Sequence, residues 1–263
     1  MTPPPTANGH PEPRFRVALF ATCLADLFRP SVAFASLRLL EEAGCDVVVP
    51  DEQTCCGQPA YNTGDYAATV PLARKVVAML EPYEYVVIPS GSCAGMISEH
   101  YPRVLEGEWQ QRSQDLAAKT YELTTFLSEV AGLERKEPVT SQQTVTYHDS
   151  CAGLRELGIR EQPRALLQNL CGITVTEMDQ TDVCCGFGGT FCAKMPEISA
   201  KMADDKLANA ARTGASVLTG GDLGCLMSLA GRAHRESVDI EIRHIAELLA
   251  GETTPPLGKP QVD

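Results

Sequence analysis

Two sets of four cysteines are the residues of this chain whose type and spacing could bind a metal. Eleven cysteines occur among the 263 residues. Eight follow one order twice: an isolated cysteine, a vicinal pair followed by glycine, and a second isolated cysteine. The two sets are Cys23, Cys55, Cys56, Cys93 and Cys151, Cys184, Cys185, Cys225. Four thiolates suit zinc or an iron-sulfur cluster, whereas a free cysteine can also be a small buried apolar side chain.

The spacing within each set favours an iron-sulfur cluster over zinc. Zinc sites usually contain a knuckle in which about two to four residues separate two cysteines. Neither set has such a knuckle, and the ligands are spread from Cys23 to Cys93 and from Cys151 to Cys225. A cluster is several ångström wide and can collect its ligands from three separate loops.

The two sets lie in two copies of one longer pattern. RVALFATC at residues 16–23 corresponds to TVTYHDSC at residues 144–151, and a helical stretch, a β-branched run and a CCG tripeptide follow in both copies. The first, second and fourth cysteines of the two sets are 128, 129 and 132 residues apart. Such constant offsets over so long a period indicate a duplicated domain.

Alternating strands and helices must position the cysteines in each copy. Short β-branched runs precede the isolated cysteines, and segments of helical periodicity such as Leu72, Val76, Val77 and Leu80 follow. This alternation predicts parallel sheets, in which ligands gather beyond the carboxyl ends of the strands. We therefore expect an α/β fold of two homologous parallel-sheet halves, related by a pseudo-two-fold axis in one body, with the isolated cysteines at the carboxyl edges.

Composition indicates where the halves begin and end. Residues 1–13 are Pro-rich and lack the apolar segment of a secretory signal, so a disordered tail is expected there. The first domain is expected at 14–135 and the second at 136–250, joined by a polar linker near 131–143. Residues 251–263 carry three prolines after a helix-like segment, which predicts a flexible tail.

Charge and hydropathy exclude several classes of function. With 34 acidic and 22 basic residues, the formal net charge of -12 disfavours binding to nucleic acid or to anionic membranes. The apolar runs are far shorter than the roughly 20 residues that span a bilayer, so we expect no membrane-spanning segment. A cytoplasmic, reducing compartment is expected, where cysteines are more often metal ligands than disulfides.

The cysteine pattern resembles the CCG-domain family, which is marked by C-x31-38-CCG and a further cysteine some three dozen residues later. Here 31 and 36 residues separate the cysteines in the first copy, and 32 and 39 in the second. The resemblance extends from about Phe15 to Leu249 and is strongest to the lactate utilisation protein A branch, also called YkgE-type iron-sulfur oxidoreductases. It rests on CCGQPAYNTGD at 55–65, GSCAGM at 91–96, CCGFGGTF at 184–191 and the terminal HIAELL.

This resemblance implies an iron-sulfur subunit of an L-lactate oxidising complex with two companion subunits, one of them another iron-sulfur protein. It also implies kinship with the CCG-containing subunit of heterodisulfide reductase, whose motif closes with C-x-x-C. Here Met96 follows Cys93 and Ser228 follows Cys225 at the corresponding positions. With four cysteines in each half, two ordinary [4Fe-4S] clusters are expected rather than the noncubane cluster of those relatives.

Several other residues have both a functional and a structural interpretation. Gly57 and Gly186 are expected to let backbone N–H groups approach the sulfurs rather than only to permit a turn. Cys45 and Cys171 are expected to be buried structural thiols, and Cys192 is expected not to be a ligand. His148 is expected to be a structural histidine with its hydrogen bonds satisfied rather than a proton donor. Arg155 and Lys194 fit surface positions at least as well as a carboxylate-binding role.

The function predicted from these observations is electron transfer within a system that oxidises L-lactate to pyruvate. The chain is expected to be an oxidoreductase subunit that needs its partners, because no glycine-rich motif for a nucleotide or flavin follows a strand. Two alternatives stay open. One is a disulfide-reducing iron-sulfur subunit, and the other is a zinc-stabilised scaffold protein without enzymatic activity.

Overall fold

The computed structural model of this protein describes residues 14–135 and 143–259. The tail predicted at 1–13 lies outside the described residues, and so does most of the predicted linker. In the two described stretches, no helix has the length and apolar character needed to cross a membrane.

The first half is a four-stranded parallel sheet with helices between its strands. The strands run in the spatial order β2-β1-β3-β4. They are β1 Phe15–Leu19, β2 Cys45–Val48, β3 Tyr85–Ile88 and β4 Thr120–Glu122. The helices are α1 Cys23–Phe28, α2 Pro30–Glu42, α3 Gln58–Tyr61, α4 Tyr66–Leu80, α5 Gly91–Gly95, α6 Tyr101–Val104, α7 Glu108–Ala117 and α8 Leu123–Thr125, with π-helical turns at Met96–His100 and Phe126–Val130.

The second half repeats this plan with three strands. Its parallel sheet has the order β5-β6-β7. The strands are β5 Val145–Tyr147, β6 Val217–Gly220 and β7 Glu241–His244. The helices are α9 Cys151–Arg155, α10 Glu161–Cys171, α11 Phe191–Lys194, α12 Pro196–Arg212, α13 Leu223–Arg235 and α14 Ile245–Leu249.

The sheets of the two halves correspond strand by strand. β5, β6 and β7 take the places of β1, β3 and β4, and a single parallel bridge between Val145 and Val175 stands where β2 pairs with β1. The predicted α/β fold with two homologous parallel-sheet halves is confirmed. The pseudo-two-fold relation between the halves stays a prediction.

The helices form where the apolar periodicity predicts them. In α4, Val76, Val77 and Leu80 are fully buried against the first sheet. Helix α2 ends at Glu42, and Gly44 two residues later has a φ of 81°. Glycine adopts this left-handed conformation without steric cost, so the chain can turn sharply into β2.

One apolar core joins the two halves into a single body. It contains side chains from both sheets and from the helices packed on them, among them Leu39, Leu127, Tyr147 and Leu167. A buried ion pair crosses the same interface, since Arg29 Nε donates to Glu247 Oε1 at 2.7 Å. Removing one partner of such a pair leaves an uncompensated buried charge, which costs about 3–5 kcal/mol. The halves therefore depend on each other for stability.

Residues 251–259 pack back onto this body. The Leu257 N–H donates to Ile242 O at 2.9 Å, and Pro255 O accepts from Arg29 Nη2 at 2.6 Å. The Leu257 side chain packs against the apolar core of the second half. The flexible tail predicted at 251–263 stays a prediction, and residues 260–263 lie outside the described part of the chain.

Candidate metal centres

The isolated cysteines of each half lie at the carboxyl ends of two adjacent strands. In the first half, Cys23 begins α1 just after β1, and Cys93 lies in the first turn of α5 just after β3. In the second half, Cys151 begins α9 after β5, and Cys225 lies in the first turn of α13 after β6. Parallel strands bring these positions to one edge, as the sequence predicts.

The vicinal pairs reach these edges from separate loops, and each set forms a row of neighbouring sulfurs. In the first half, Cys56 Sγ lies 3.3 Å from Cys93 Sγ, and Cys23 and Cys56 lie near enough to Cys55 to shift its pKa. The second row has the same order: Cys151, Cys184, Cys185, Cys225. All eight predicted site cysteines are thus brought together, four in each half.

Mutual contact separates the pKa values of the thiols within a row. Hydrogen bonds from Cys23 and Cys56 lower the pKa of Cys55 to about 2. The hydrogen bond with Cys55, together with burial, raises the pKa of Cys23 and of Cys56. In the second half, hydrogen bonds from its two neighbours in the row lower the pKa of Cys184 to about 2. Because like charges repel, several thiolates can coexist in a row only beside a cationic centre.

A glycine after each pair turns the backbone toward the sulfurs. Gly57 has a φ of 83° and Gly186 a φ of 88°. The Gly57 N–H donates to Cys55 Sγ at 3.4 Å, and the Gly186 N–H donates to Cys184 Sγ at 3.3 Å. The predicted approach of backbone N–H groups to the sulfurs is confirmed in both halves. Such hydrogen bonds stabilise a ligating thiolate and tune the metal that it holds.

The donor sets fit a cluster better than a single small ion. Four thiolates at about 2.3 Å from one zinc ion lie only ~3.8 Å from one another. Among the described residues, one group of three potential ligands has all its ligand atoms within 4.8 Å of each other, and it contains a histidine: His148, Cys185 and Cys225. Neither row offers three sulfurs within that distance. Rows of soft thiolates that are wider than one ion suit an iron-sulfur cluster.

Two neighbouring cavities open beside the two rows. The cavity at the first row has a volume of about 240 Å³, and that at the second row about 200 Å³. Both are lined by Gln58, Ser92, Phe187, Gly189 and Asp222. The two candidate metal centres are therefore separated by one shared wall, to which each half contributes.

Asp222 was not singled out from the sequence, yet it holds this wall together. It precedes α13, and its carboxylate is buried. Its Oδ2 accepts from the backbone N–H of Ser92 at 2.9 Å and from the Ser90 hydroxyl at 3.3 Å. Ser90 occupies the same position before α5 in the first half. The sequence signal was available in the repeat, because Ser90 and Asp222 each stand three residues before an isolated cysteine.

His148 differs from its prediction. It is 1% exposed, and neither ring nitrogen has a hydrogen-bond partner among the described residues. The expectation of a structural histidine with satisfied hydrogen bonds is therefore wrong. Burial, and then the charge of Lys206, lowers the pKa of His148 to about 3, so the imidazole is neutral. One ring nitrogen lies within 4.8 Å of the sulfurs of Cys185 and Cys225 in the second row.

Lys206 is a second residue that the sequence interpretation missed. It is 1% exposed, on the buried face of α12. The signal was a lysine within an apolar helical stripe that also contains Ala203, Leu207 and Ala210. Lysine is almost never buried without a specific partner, so its position in that stripe indicates a special environment.

The remaining singled-out residues lie away from the rows or at their margins. Cys45 and Cys171 are buried, as predicted, and burial raises the pKa of Cys45 to about 11. Cys192 is half-buried and donates to Gly189 O at 3.7 Å. Lys194 is exposed, as predicted. Arg155 is also exposed, and its guanidinium donates to the backbone oxygen of Asp182 at 3.2 Å.

The fold and the two rows define a class: a duplicated α/β protein with a row of four cysteines at the carboxyl edge of each sheet. The Cysteine-rich domain family, CCG, matches residues 17–98 and 145–230. Lactate utilization protein A of Halalkalibacterium halodurans is 46% identical over 237 residues, covering 89% of this chain and 96% of that protein. Lactate utilization protein A of Bacillus licheniformis is 45% identical over 236 residues, covering 89% and 98%.

Among solved structures, a solute-binding protein of an ABC transporter system from Conexibacter woesei is similar at a TM-score of 0.25 and 18% identity, over 87% of this chain and 69% of that one. The chain belongs to the CCG cysteine-rich family and, within it, to the family of lactate utilization protein A.

Proposed function

We propose that this chain is an iron-sulfur electron-transfer subunit of a complex that oxidises L-lactate to pyruvate. The observation that carries the proposal is the four-sulfur row built twice at equivalent strand ends, with the same glycine N–H donor in each. The names of the relatives supply the metabolic context, since they are lactate utilization proteins.

Each half supplies the ligands of one [4Fe-4S] cluster in this proposal. The first cluster is held by Cys23, Cys55, Cys56 and Cys93, and the second by Cys151, Cys184, Cys185 and Cys225. When bound, such a cluster accepts and returns electrons one at a time. Because lactate loses two electrons, two adjacent sites allow the pair to be accepted in sequence.

The chain's own residues position and protect these sites. Gly57 and Gly186 donate backbone N–H groups to the sulfurs of the vicinal pairs. The Tyr101 hydroxyl donates to Cys56 O at 2.7 Å and fixes the first pair, and the Ser199 hydroxyl donates to Gly186 O at 2.8 Å beside the second. Phe187 lines both cavities and places an aromatic ring in the wall between them. Exclusion of water also sets the reduction potential of a bound cluster.

Lactate oxidation itself is assigned to the assembled complex. The sequence has no recognisable flavin or nucleotide motif, so we propose two companion subunits, one of them an iron-sulfur protein, that supply the substrate site and a further redox centre. The domains are proposed at 14–135 and 136–250. A cytoplasmic location agrees with the cysteines, since all eleven lie in the described ranges and all are free.

Zinc binding is a second candidate, and one observation favours it. His148, Cys185 and Cys225 lie within the distances of a three-ligand zinc site in the second half. The first row has no comparable group among the residues described. A zinc scaffold would therefore bind one ion with mixed ligands, whereas the proposed function requires iron and sulfide in both halves.

Metal analysis of the full chain tests the proposal. We expect protein purified without oxygen to contain iron and acid-labile sulfide in two clusters, with broad absorption at about 400 nm from thiolate-ligated clusters. A protein with one equivalent of zinc, no sulfide and no visible absorption would contradict the proposed function and favour the zinc scaffold. Substitution of cysteines in either row should remove half of the iron.

Turnover measurements test the proposed role of the chain in L-lactate oxidation. We expect the purified chain alone to oxidise little L-lactate with an artificial electron acceptor, and the complex with its companion subunits to oxidise it readily. Robust turnover by the chain alone would contradict the subunit role. Reduction of organic disulfides by a complex that does not oxidise lactate would favour a disulfide reductase instead.

A further inference from the structure

The walls of the two metal sites differ at two equivalent positions. Three residues before the first cysteine of each row stands Phe20 in the first half and His148 in the second. Both side chains are buried. The two copies therefore differ at this position: the first half has an aromatic hydrocarbon and the second half has an imidazole.

The second difference lies on the long helix behind each vicinal pair. Thr69 and Leu72 of α4 are the nearest neighbours of Gly57, and Ser199 and Met202 of α12 are those of Gly186. The two helices are thus equivalent at an offset of 130 residues. At this offset Val76 corresponds to Lys206, and both are buried. An apolar side chain in the first half is replaced by an ammonium group in the second.

The Lys206 ammonium places a positive charge beside the second row. Its Nζ donates to the backbone oxygens of Gln180 at 2.5 Å and Thr181 at 3.0 Å. These partners are neutral, so the hydrogen bonds satisfy the ammonium without cancelling its charge. Burial lowers the pKa of Lys206, and the nearby Cys185, Asp182, Asp149 and Cys151 oppose this shift.

The acidic groups near this lysine do not cancel its charge either. Asp149 is bound by Arg164, whose two terminal nitrogens lie 3.0 and 3.1 Å from its oxygens. Asp182 is an exposed residue. Asp222 lines the cavities of both rows, and burial together with its charge raises the pKa of Cys225 in the second; its carboxylate also accepts from the Ser92 N–H beside the first row. Within the described chain, the first row has no equivalent of the cationic side chain, because Phe20 and Val76 are apolar.

We propose that the second site, Cys151, Cys184, Cys185 and Cys225, holds the metal centre of higher reduction potential, because Lys206 and His148 lie near it, whereas the equivalent residues of the first half, Val76 and Phe20, are apolar. This inference rests on the proposed function. Reduction adds a negative charge to a cluster, and a buried cation with a nearby N–H donor stabilises that charge. Dithionite added in less than stoichiometric amount reduces the second site first.

An anaerobic redox titration of the full chain, followed by electron paramagnetic resonance, tests the inference. Cys56→Ser and Cys185→Ser proteins each retain one intact row and assign the two signals. We expect the signal that survives in Cys56→Ser, that of the second site, to have the higher midpoint potential. Equal potentials, or the reverse order, would overturn the inference.

Substitution of Lys206 tests whether its charge raises the reduction potential of the second site. Lys206→Met should lower the reduced-to-oxidised ratio of the second site at least tenfold at fixed potential, which for one electron is a shift of about 59 mV. The first site should not change. Lys201→Met is the matched control, since Lys201 is exposed on the same helix, and it should shift neither signal. A Lys206→Met protein with unchanged potentials contradicts the proposed cause.

The histidine provides a second route if Lys206→Met does not fold. His148→Phe installs the residue of the first half and should shift the potential of the second site in the same direction. An unshifted second signal in that variant, with both clusters loaded, would contradict the role of His148. A wild-type chain without iron and sulfide would instead refute the proposed function, so the two failures are distinguishable.

Discussion

The backbone N–H of Ser92 donates a 2.9 Å hydrogen bond to the Asp222 carboxylate, and this bond joins the two cysteine rows. Ser92 immediately precedes Cys93 of the first row, and Asp222 stands three residues before Cys225 of the second. The carboxylate is 4% exposed. This hydrogen bond therefore couples the starts of α5 and α13, which carry cysteines of different rows.

Asp222→Ala should therefore weaken both sites. The substitution leaves the partly buried N–H of Ser92 without its acceptor, which costs up to about 1–3 kcal/mol of unfolding free energy. We expect less iron in both rows, measured on protein purified without oxygen, and a lower midpoint in urea. Asp222→Asn is the matched control, because its side-chain oxygen can still accept from Ser92. Iron loss confined to the second row would contradict the coupling of the two sites through this bond.

Single replacements in the vicinal pairs should act on one half only. Cys56→Ser should remove about half of the iron and sulfide by emptying the first row, and Cys185→Ser should empty the second, because each sulfur touches only sulfurs of its own row. Cys192→Ser should leave the full iron content, since Cys192 contacts Gly189 O. If either pair variant emptied both rows while the protein stayed folded, the two sites would not be independent.

Replacing the two equivalent glycines by alanine should have unequal effects. Both have a positive φ, which costs a residue with a Cβ roughly 1–2 kcal/mol. At Gly57 the nearest atom to an added Cβ is 3.6 Å away, but at Gly186 the backbone oxygen of Ser199 would lie at 2.6 Å. We expect Gly57→Ala to be mildly destabilising and Gly186→Ala to be severely so in urea unfolding of the apo chains. Equal destabilisation would show that φ alone decides the cost.

Glu122 should make stability fall with rising pH. Burial raises the pKa of this carboxyl to about 7, against an ordinary value of 4.5. Between these values the folded state holds one more proton than the unfolded state, so unfolding free energy decreases as pH rises from about 4.5 to 7, by about 3 kcal/mol.

Glu122→Gln removes the titrating carboxyl group and keeps an oxygen acceptor for the N–H of Thr124. We expect the variant to be more stable than the wild type at pH 8 and of similar stability at pH 4.5, measured by urea unfolding at both values. Glu106→Gln, at an exposed position, is the control that should show no such dependence. A wild type whose stability is the same at both pH values would contradict the raised pKa.

Much of the fold and the sites could be predicted because the information is local and repeated. The distance along the chain from Cys23 to Cys55 and from Cys151 to Cys184, the apolar periodicity of α4 and the glycine after each pair all follow from residue order. Period-3.6 and β-branched patterns report which faces are buried. The family pattern then identifies the eight cysteines and the kind of cofactor to test.

Other features depend on contacts between residues that are far apart in the chain, and only the tertiary structure decided them. Asp222 meets Ser92 across 130 residues, and His148 lies within 4.8 Å of Cys185 and Cys225 without a hydrogen-bond partner among the described residues. Lys206 stands in an apolar stripe of its helix, but only packing shows that it is buried and that the second row is its neighbour. The physical reason is that the charge and desolvation around a metal site are set by packing between elements, whereas a sequence pattern records only the periodicity within each element.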